Sequence, residues 1–350
     1  MRGLFKALTP LAPDQSGAVS ALYELGGILV ICDAGGCTGN ICGFDEPRWS
    51  LKPSAIFSAG LRDMDAILGR DHALIAKITD FATKFKANFV ALIGTPVPAV
   101  IATDFKGLER LGAKKIPCPI LSIPTLGTKL YDQGAELAFL NLGQRLLSEA
   151  PQKEPQTLSI LGATPLDLGL TNSKALVQAF ESKYNQVEVP GLGFGLEAFL
   201  KIPKREELLV IAPSGLALAK YCAQNFGTPY KLGFPLEILK DNLLNFESQC
   251  LKAERFLIIH QHILAASLRE KIKALNPKAK VTLGSFFMTV KELFKEEDQK
   301  FSDEDSFQTF LETKSFDLII ADQALKRVVP NLKTPWIDLP HLALSGRLLT

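Results

Sequence analysis

The fold is decided by short apolar runs, of which GILVIC at residues 27–32 is the first and FVALIG at residues 89–94 the second. Each is rich in apolar side chains without a break, and neither alternates apolar with polar residues. Continuous runs of this length are typical of strands that are covered on both faces, as in parallel sheets. Six similar runs follow along the chain, at residues 158–162, 208–213, 256–260, 281–286, 316–322 and 336–340.

Segments with the periodicity of amphipathic helices lie between these runs. We expect helices at residues 71–86, 135–149, 173–184, 215–226 and 262–275. Strands that alternate with helices form βαβ units, so the sequence predicts an α/β protein with mostly parallel sheets.

The chain has 350 residues, and chains of this length usually form more than one hydrophobic core. Residues 150–156 (APQKEPQ) are polar and contain two prolines, as expected of a linker, and a softer break falls near residues 234–254. We therefore expect three Rossmann-like α/β domains, at residues 1–150, 156–236 and 237–350.

Composition excludes several classes of protein. The net charge is only +2, which argues against a nucleic-acid binder that works through a basic face. No apolar run approaches the roughly 20 residues that span a bilayer. The first segment is interrupted by Lys6 and Pro10, unlike a secretory signal. We expect a cytoplasmic protein without nucleic-acid or membrane partners.

The first apolar run leads into a glycine-rich segment, residues 32–49, which we call the cysteine loop. It contains Cys32, Cys37 and Cys42, half of the six cysteines of the chain. Ligands of parallel sheets bind beyond the carboxyl ends of the strands, so a site is expected here. Glycines let the backbone approach a bulky inorganic group, and thiolates flanked by amides can hold an iron–sulfur cluster. The glycines are Gly35, Gly36, Gly39 and Gly43.

Packing is the alternative explanation for each cysteine. Cys32 ends an apolar run, which favours a core position and ranks it behind the other two as a ligand. Cys37 and Cys42 lie among glycines, where packing gives little reason for cysteine, and spacing alone leaves both roles open. Structural zinc fits less well, because its usual two-residue spacer is absent. Three further cysteines lie in apolar or helical surroundings typical of packing: Cys118, Cys222 and Cys250.

Charged residues near the loop allow two interpretations. Asp45 and Glu46 beside Arg48 are a proton source or a salt-bridged turn, and we favour the turn. His260 and His262 follow an apolar run and could bind a metal. Two residues apart, however, they face opposite ways on an extended chain, so we expect no metal there.

The order of these motifs resembles the nitrogenase component-1 family, which includes the molybdenum–iron protein subunits and related reductases. Residues 33–37 (DAGGC) resemble the family's H-G-P-x-G-C, whose cysteine ligates an iron–sulfur cluster at a subunit interface. Residues 58–74 resemble its S-x-L-x-E-x-D-x-V-F-G-G-x-x-K-L segment, and residues 227–230 (GTPY) its Y-G-I-P-[WYF]. Two departures stand out. Thr95 replaces the cysteine of the C-P-x-G loop, and no cysteine lies near residues 11–14, where another ligand would fall.

The resemblance implies a ligand set. Cys37 transfers directly as a cluster ligand, Cys42 is an addition that could compensate for the missing ones, and Cys32 is a weaker candidate. The cysteine that anchors the molybdenum cofactor would fall near residues 211–212 and is missing, so dinitrogen reduction is not expected. The residues expected to line the cofactor are Gly35, Gly36, Gly39 and Thr95.

By this resemblance, the chain is a nitrogenase-like oxidoreductase and the catalytic component of a two-component, iron–sulfur-dependent reductase. It receives low-potential electrons from a separate ATP-hydrolysing iron protein, in agreement with the absence of a phosphate-binding loop here. We expect a homodimer, or a heterodimer with a related component-1 chain, around one [4Fe–4S] cluster. In the homodimer each copy supplies Cys37 and Cys42.

Four charged residues of the cysteine loop are candidates for tuning the cluster or docking the reductase: Asp33, Asp45, Glu46 and Arg48. Two other functions stay open at this point. One is a scaffold or assembly protein that carries a cluster or a tetrapyrrole without turnover. The other is a binding module that has the fold without the cluster.

Overall fold

A computed structural model describes residues 5–69, 71–148, 152–239, 243 and 246–349. Within these residues the strands form three sheets, and every strand pair is parallel. Helices connect the strands of each sheet. The prediction of an α/β fold with parallel sheets is therefore confirmed.

The first sheet has the strand order β2-β1-β3-β4, and every residue of its two central strands is buried. Its strands are β1 (Ile28–Ile31), β2 (Ile56–Ser58), β3 (Val90–Ile93) and β4 (Ile120–Ile123). The helices of this part are α1 (Asp14–Leu22), α2 (Gly36–Asn40), α3 (Asp63–Leu68), α4 (Asp71–Phe85), α5 (Pro96–Val100), α6 (Phe105–Gly112) and α7 (Tyr131–Leu146), with a π-helical turn at Ile41–Asp45 and a 3-10 turn at Pro47–Ser50.

The second sheet has the order β6-β5-β7-β8. Its strands are β5 (Glu154–Leu161), β6 (Gln186–Glu188), β7 (Arg205–Val210) and β8 (Tyr230–Leu232). The helices are α8 (Pro165–Leu168), α9 (Lys174–Gln178), α10 (Leu196–Leu200) and α11 (Leu216–Phe226), with 3-10 turns at Ile202–Lys204 and Pro213–Gly215.

The third sheet has the order β11-β10-β9-β12-β13. Its strands are β9 (Arg255–Ile259), β10 (Lys280–Ser285), β11 (Gln299–Lys300), β12 (Leu318–Ala321) and β13 (Trp336–Asp338). The helices are α12 (Phe246–Cys250), α13 (His262–Leu275), α14 (Glu304–Thr313) and α15 (Leu342–Ser345), with 3-10 turns at Leu236–Leu239 and Gln323–Arg327.

All eight apolar runs contain a strand, but five strands were not predicted: β2, β4, β6, β8 and β11. Each of the five lies at the edge of its sheet. An edge strand is paired on one side only and is often short, so its sequence carries a weaker apolar signal than that of a central strand. The missed elements therefore share one physical cause.

Two predictions of local structure were wrong in part. The helix expected at residues 173–184 ends early, at Gln178, and turns follow it. Residues 154–156 of the expected linker begin strand β5, while residues 150–151 lie outside the described part. The domain limits themselves stay a prediction, although the strands of the three sheets fall between 28 and 123, 154 and 232, and 255 and 338.

The backbones of helices α1 and α7 are in direct contact, and a glycine in each helix makes this close approach possible. A Cβ atom on Gly17 would lie 1.7 Å from the carbonyl oxygen of Tyr131, and one on Gly134 would lie 1.8 Å from that of Asp14. Every residue of α1 is buried. This contact holds the segment that leads into β1 and so fixes the base of the cysteine loop.

An N-terminal strap, residues 5–13, runs from the third sheet's helices toward the first domain. The amides of Lys6, Ala7 and Leu8 donate hydrogen bonds to the buried carboxylate of Glu304, at 2.7–3.1 Å. Further along, the amide of Ala12 donates to a carbonyl of α15. The strap thereby contacts both α14 and α15.

Candidate active site

The cysteine loop begins at the carboxyl end of β1 and carries two thiols that pack partly against the hydrophobic core, between glycines that face open space. Cys37 lies on α2 and Cys42 on the π-helical turn that continues it, and both are half-buried. Gly35 has a φ of 114°, a backbone conformation that side chains other than glycine rarely adopt, and it starts α2. A Cβ atom on Gly36 or Gly39 would meet nothing within 4 Å. The outer face of the loop is therefore uncovered.

Both loop thiols are held as neutral groups. Burial is the main cause that raises the pKa of Cys37, with Asp33 adding to it, and burial together with Glu46 raises the pKa of Cys42. A side-chain hydrogen bond with Thr95 acts in the opposite direction on Cys37. A metal group bound here would have to displace the thiol protons, so its binding would release protons to solvent.

Cys32 and Thr95 lie behind the loop and are buried. Burial raises the pKa of Cys32 to about 12, which fits the packing role that its position at the end of an apolar run favours. The hydroxyl of Thr95 donates a hydrogen bond of 2.8 Å to the carbonyl oxygen of Cys32. Thr95 thus lies between the β1 end and Cys37, where it ties the loop to the strand.

Asp33 anchors the loop to the first sheet. Its buried carboxylate accepts hydrogen bonds from the amide and hydroxyl of Thr38, at 2.8 and 3.0 Å, and from the hydroxyl of Ser58 at 2.5 Å. These partners engage both carboxylate oxygens. The side chain therefore holds α2 against β2 and has little capacity left for a ligand.

Glu46 and Arg48 form a buried ion pair. The guanidinium of Arg48 binds the carboxylate of Glu46 through two bonds of 2.7 Å, and it donates further bonds to the carbonyl oxygens of Gly191 and Ser20. Of the expected salt-bridged turn, the structure shows the pair of Glu46 with Arg48, whereas Asp45 contacts Ser16 and Asn40 instead. Because both side chains are buried, neither reaches a surface where a reductase could dock.

Asp45 is the charged loop residue that faces a cavity. Its Oδ2 atom accepts hydrogen bonds from the hydroxyl of Ser16, at 2.6 Å, and from the side-chain amide of Asn40, at 3.0 Å. Burial raises the pKa of its carboxyl group, and Glu46 adds to this shift, while the bonds from Ser16 and Asn40 oppose it.

The cavity is a cleft of ≈ 680 Å³ that lies between the cysteine loop, the N-terminal strap and α15. The loop contributes Asn40, Phe44 and Asp45, and the strap contributes residues 9–13. The ring of Phe44 is 79% exposed. A volume of this size suits a ligand of several hundred daltons with an apolar body. We call it the loop cleft.

The centre of the three domains is filled by a buried polar cluster that the sequence did not predict. The hydroxyl of Tyr131 donates to Asp167 at 2.8 Å and lies 3.3 Å from Nε2 of His341. The ring of His341 lies 4.5 Å from that of His260, whose Nε2 atom contacts the carbonyl of Pro340. Burial raises the pKa of Asp167 to about 7 and lowers that of His260 to about 4.

His260 and His262 do not form a metal pair. His262 lies at the start of α13, where its Nδ1 atom accepts a hydrogen bond from the amide of Val290, away from His260 and His341. Within the described ranges, no three His, Cys, Asp or Glu side chains come together as metal ligands. Cys37 and Cys42 are the two cysteines of the loop that are half-buried, and Cys32 behind them is buried.

Comparison with known proteins shows the family to which the chain belongs. The model of the family described as nitrogenase component 1 type oxidoreductase matches residues 15–240, which include the cysteine loop and the first two sheets. The chain belongs to this family, and the resemblance noted in its sequence is confirmed. Among curated proteins, none matches the chain.

Two solved structures share the fold over almost the whole chain. They are nitrogenase Cp1 at pH 6.5 and nitrogenase Cp1 at pH 5, each with a TM-score of 0.70 and 12% sequence identity. Each match covers 97% of this chain, and 87% and 85% of the respective nitrogenase chain. The third sheet, which lies beyond the family match, is thus part of the same architecture. None of the described helices is long and apolar enough to cross a membrane.

Proposed function

We propose that this chain is the catalytic component of a two-component, iron–sulfur-dependent reductase that accepts low-potential electrons from a separate ATP-hydrolysing iron protein. The observation that carries the proposal is the cysteine loop. In a chain of this oxidoreductase family, two half-buried thiols lie among uncovered glycines after β1, in a loop that also lines a cleft large enough for a substrate.

Two copies related by a two-fold axis supply the ligands that one copy lacks. Each contributes Cys37 and Cys42, which together make the four thiolates of one [4Fe–4S] cluster. When bound, such a cluster supplies electrons one at a time. Gly35, Gly36 and Gly39 leave room for it on the outer face of the loop.

Exposed apolar side chains at the same edge of the first sheet support a partner there. Phe44 is 79% exposed, Val100 on α5 is 85% exposed, and Ile67 on α3 is 73% exposed. Helices α3 and α5 follow β2 and β3 and therefore lie at the carboxyl edge that also carries the loop. A second copy of the chain, or a related component-1 chain, would cover Ile67 and Val100, while Phe44 lines the loop cleft.

The substrate is placed in the loop cleft, where the chain's own residues bind and orient it. Asn40 offers an amide, Phe44 an exposed aromatic face and the strap an apolar wall. We also propose the domain division at residues 1–150, 156–236 and 237–350. Six cysteines, none of them in a disulfide, fit a reducing compartment, and we propose the cytoplasm.

Anaerobic purification with iron, sulfide and electron paramagnetic resonance measurements tests the proposal. We expect one [4Fe–4S] cluster per dimer in the wild type and loss of the cluster in Cys37→Ser and Cys42→Ser. Cys118→Ser is the matched control, because Cys118 is also a half-buried free thiol but lies off the loop. It should keep the full iron content.

The outcomes separate the alternatives. Iron that is bound but not reduced by an iron protein with ATP would make the chain a scaffold or assembly protein. A wild type without iron and sulfide, indistinguishable from Cys37→Ser, would refute the cluster and leave a cluster-free binding module of the same fold.

A further inference from the structure

The loop cleft carries charge of one sign only. Asp45 is the one ionisable side chain among the described residues that line it, and no lysine or arginine of the described part faces it. Most of the other lining side chains are apolar: Pro10, Leu11 and Pro13 of the strap, Leu166 of α8, and Leu342 and Leu344 of α15. A ligand that enters the cleft therefore meets a single acidic group in a mostly apolar wall.

The acidic group of the cleft has no counter-charge within the protein. Glu46, its charged neighbour, is paired with Arg48 behind the loop. Among the described residues, no cationic side chain forms an ion pair with Asp45. A partly buried carboxylate without a partner is costly, and a cation supplied by a ligand would offset that cost.

The hydrogen bonds of Asp45 leave one of its oxygen atoms available to a ligand. Burial raises the pKa of the carboxyl group, whereas the hydroxyl of Ser16 and the side-chain amide of Asn40 both donate to Oδ2 and favour the ionised form. In the described part of the chain, Oδ1 has no hydrogen-bond donor. It is also absent from the atoms that are both enclosed and unpartnered, so it is accessible from outside. A ligand with an N–H group can therefore donate to Oδ1.

An uncovered aromatic ring lies beside this carboxylate. Phe44 precedes Asp45 on the same π-helical turn, lines the cleft and is 79% exposed. The face of an aromatic ring attracts a cation that lies within about 6 Å of its centre. The carboxylate and the ring thus favour the same sign of charge in the ligand.

We propose that the loop cleft binds an organic cation with an apolar body, whose primary or secondary ammonium group donates a hydrogen bond to Oδ1 of Asp45 and lies against the ring of Phe44. Because it names the class of substrate for this cleft, the inference rests on the proposed function. The binding itself requires no cluster, since neither contact involves Cys37 or Cys42.

The same geometry selects against other ligands. A carboxylate or phosphate group would meet Asp45 with no cation among the described lining residues to pair with. A quaternary ammonium group has no N–H to donate, so it would gain the contact with Phe44 and leave Oδ1 without a donor. The ammonium group is therefore preferred over an anionic, neutral or quaternary group on the same apolar body.

The test is a fluorescence titration of the full-length protein, purified without oxygen, with dansylcadaverine. This probe has a primary ammonium group on an apolar fluorescent body. N-acetyl-dansylcadaverine is the matched neutral probe. We expect saturable binding of the amine, and binding of the N-acetyl derivative that is weaker by about tenfold or more, because a hydrogen bond between charged groups is lost.

Variants assign the preference to the two side chains. Asp45→Asn keeps an oxygen for Ser16 and Asn40 and should weaken binding of the amine by about tenfold or more, while the N-acetyl derivative binds as before. Phe44→Leu should weaken binding of the amine by about two- to fivefold. Asp80→Asn is the matched control, because Asp80 is an exposed aspartate of α4 that lies outside the cleft. The unfolding temperature of each variant verifies that it is folded.

Three results would overturn the inference: no binding of the amine to the folded wild type, equal affinity for the amine and its N-acetyl derivative, or unchanged affinity for the amine in Asp45→Asn. Iron is measured on the same preparations. Wild type that binds the amine but contains no iron would refute the cluster of the proposed function and leave the cation site standing, so the two failures are distinguishable.

Discussion

Replacement of Arg48 by methionine is predicted to destabilise the first domain strongly without touching any exposed surface. The guanidinium binds Glu46 through two bonds of 2.7 Å and also holds the carbonyls of Gly191 and Ser20, at 2.8 and 2.7 Å. Methionine fills much of the same volume against Tyr23, over whose ring the guanidinium lies at 4.5 Å. The substitution therefore removes the charge while it leaves little cavity.

The size of the expected loss in stability follows from the buried groups that lose their partner. Glu46 is 3% exposed, so its carboxylate would stay buried without a counter-charge. Removal of one member of a buried pair costs about 3–5 kcal/mol. For a cooperative unit of roughly 150–250 residues this corresponds to a fall in unfolding temperature of about 6–20 °C. The combined change Glu46→Gln with Arg48→Met removes both charges and should recover a large part of the loss.

Differential scanning calorimetry of the two variants, with the single Glu46→Gln variant, completes a double-mutant cycle. Lys84→Met is the matched control, because Lys84 pairs with Asp80 on the exposed face of α4 and a surface pair contributes about 0.3–0.5 kcal/mol. If Arg48→Met unfolds within a degree or two of Lys84→Met, the reasoning that gives Arg48 a structural role is refuted. A docking role would instead leave stability intact and weaken electron transfer.

Two further predictions concern packing and pH. Gly17→Ala should cost about 3 kcal/mol or more, because its Cβ would lie 1.7 Å from the carbonyl oxygen of Tyr131, whereas Gly39→Ala, in open space, should leave the unfolding temperature unchanged. Burial lowers the pKa of His260 to about 4 and that of His341 well below its ordinary value of 6.5. Groups with a lowered pKa in the folded state stabilise it above pH 6.5 and lose that contribution as the pH falls toward 4. Thermal unfolding across this range should show the decline, and His260→Gln should reduce its slope.

Several central strands could be predicted from the sequence because they are buried on both faces. β1, β3 and β12 are apolar without interruption, and nothing outside the segment is needed to recognise them. Edge strands such as β2 and β8 have only three residues, which are not all buried, and their pairing depends on the neighbouring strand. The sequence of the strand itself does not indicate which strand it pairs with.

In the cysteine loop, too, the local sequence does not reveal which distant residues a side chain contacts. Asp33 and Asp45 are both aspartates of one glycine-rich segment, and nothing in the sequence distinguishes their roles. Their roles differ because Asp33 meets Ser58 whereas Asp45 meets Ser16 and the cleft. Tyr131 contacts His341, which lies 210 residues further along the chain. Such partners follow from the packing of whole domains.

The contacts of the loop explain why a partner must complete its chemistry. Behind the thiols, the loop is tied to β2 by Asp33, to α1 by Asp45 and to the second domain by Arg48. In front of them, the glycines meet nothing. A segment fixed from three sides cannot fold over a metal to supply further ligands, so under the proposed function the ligands beyond Cys37 and Cys42 would come from another chain. The same rigidity holds both thiols in place before any metal arrives, and this favours assembly of the cluster at a preformed interface over folding of the loop around it.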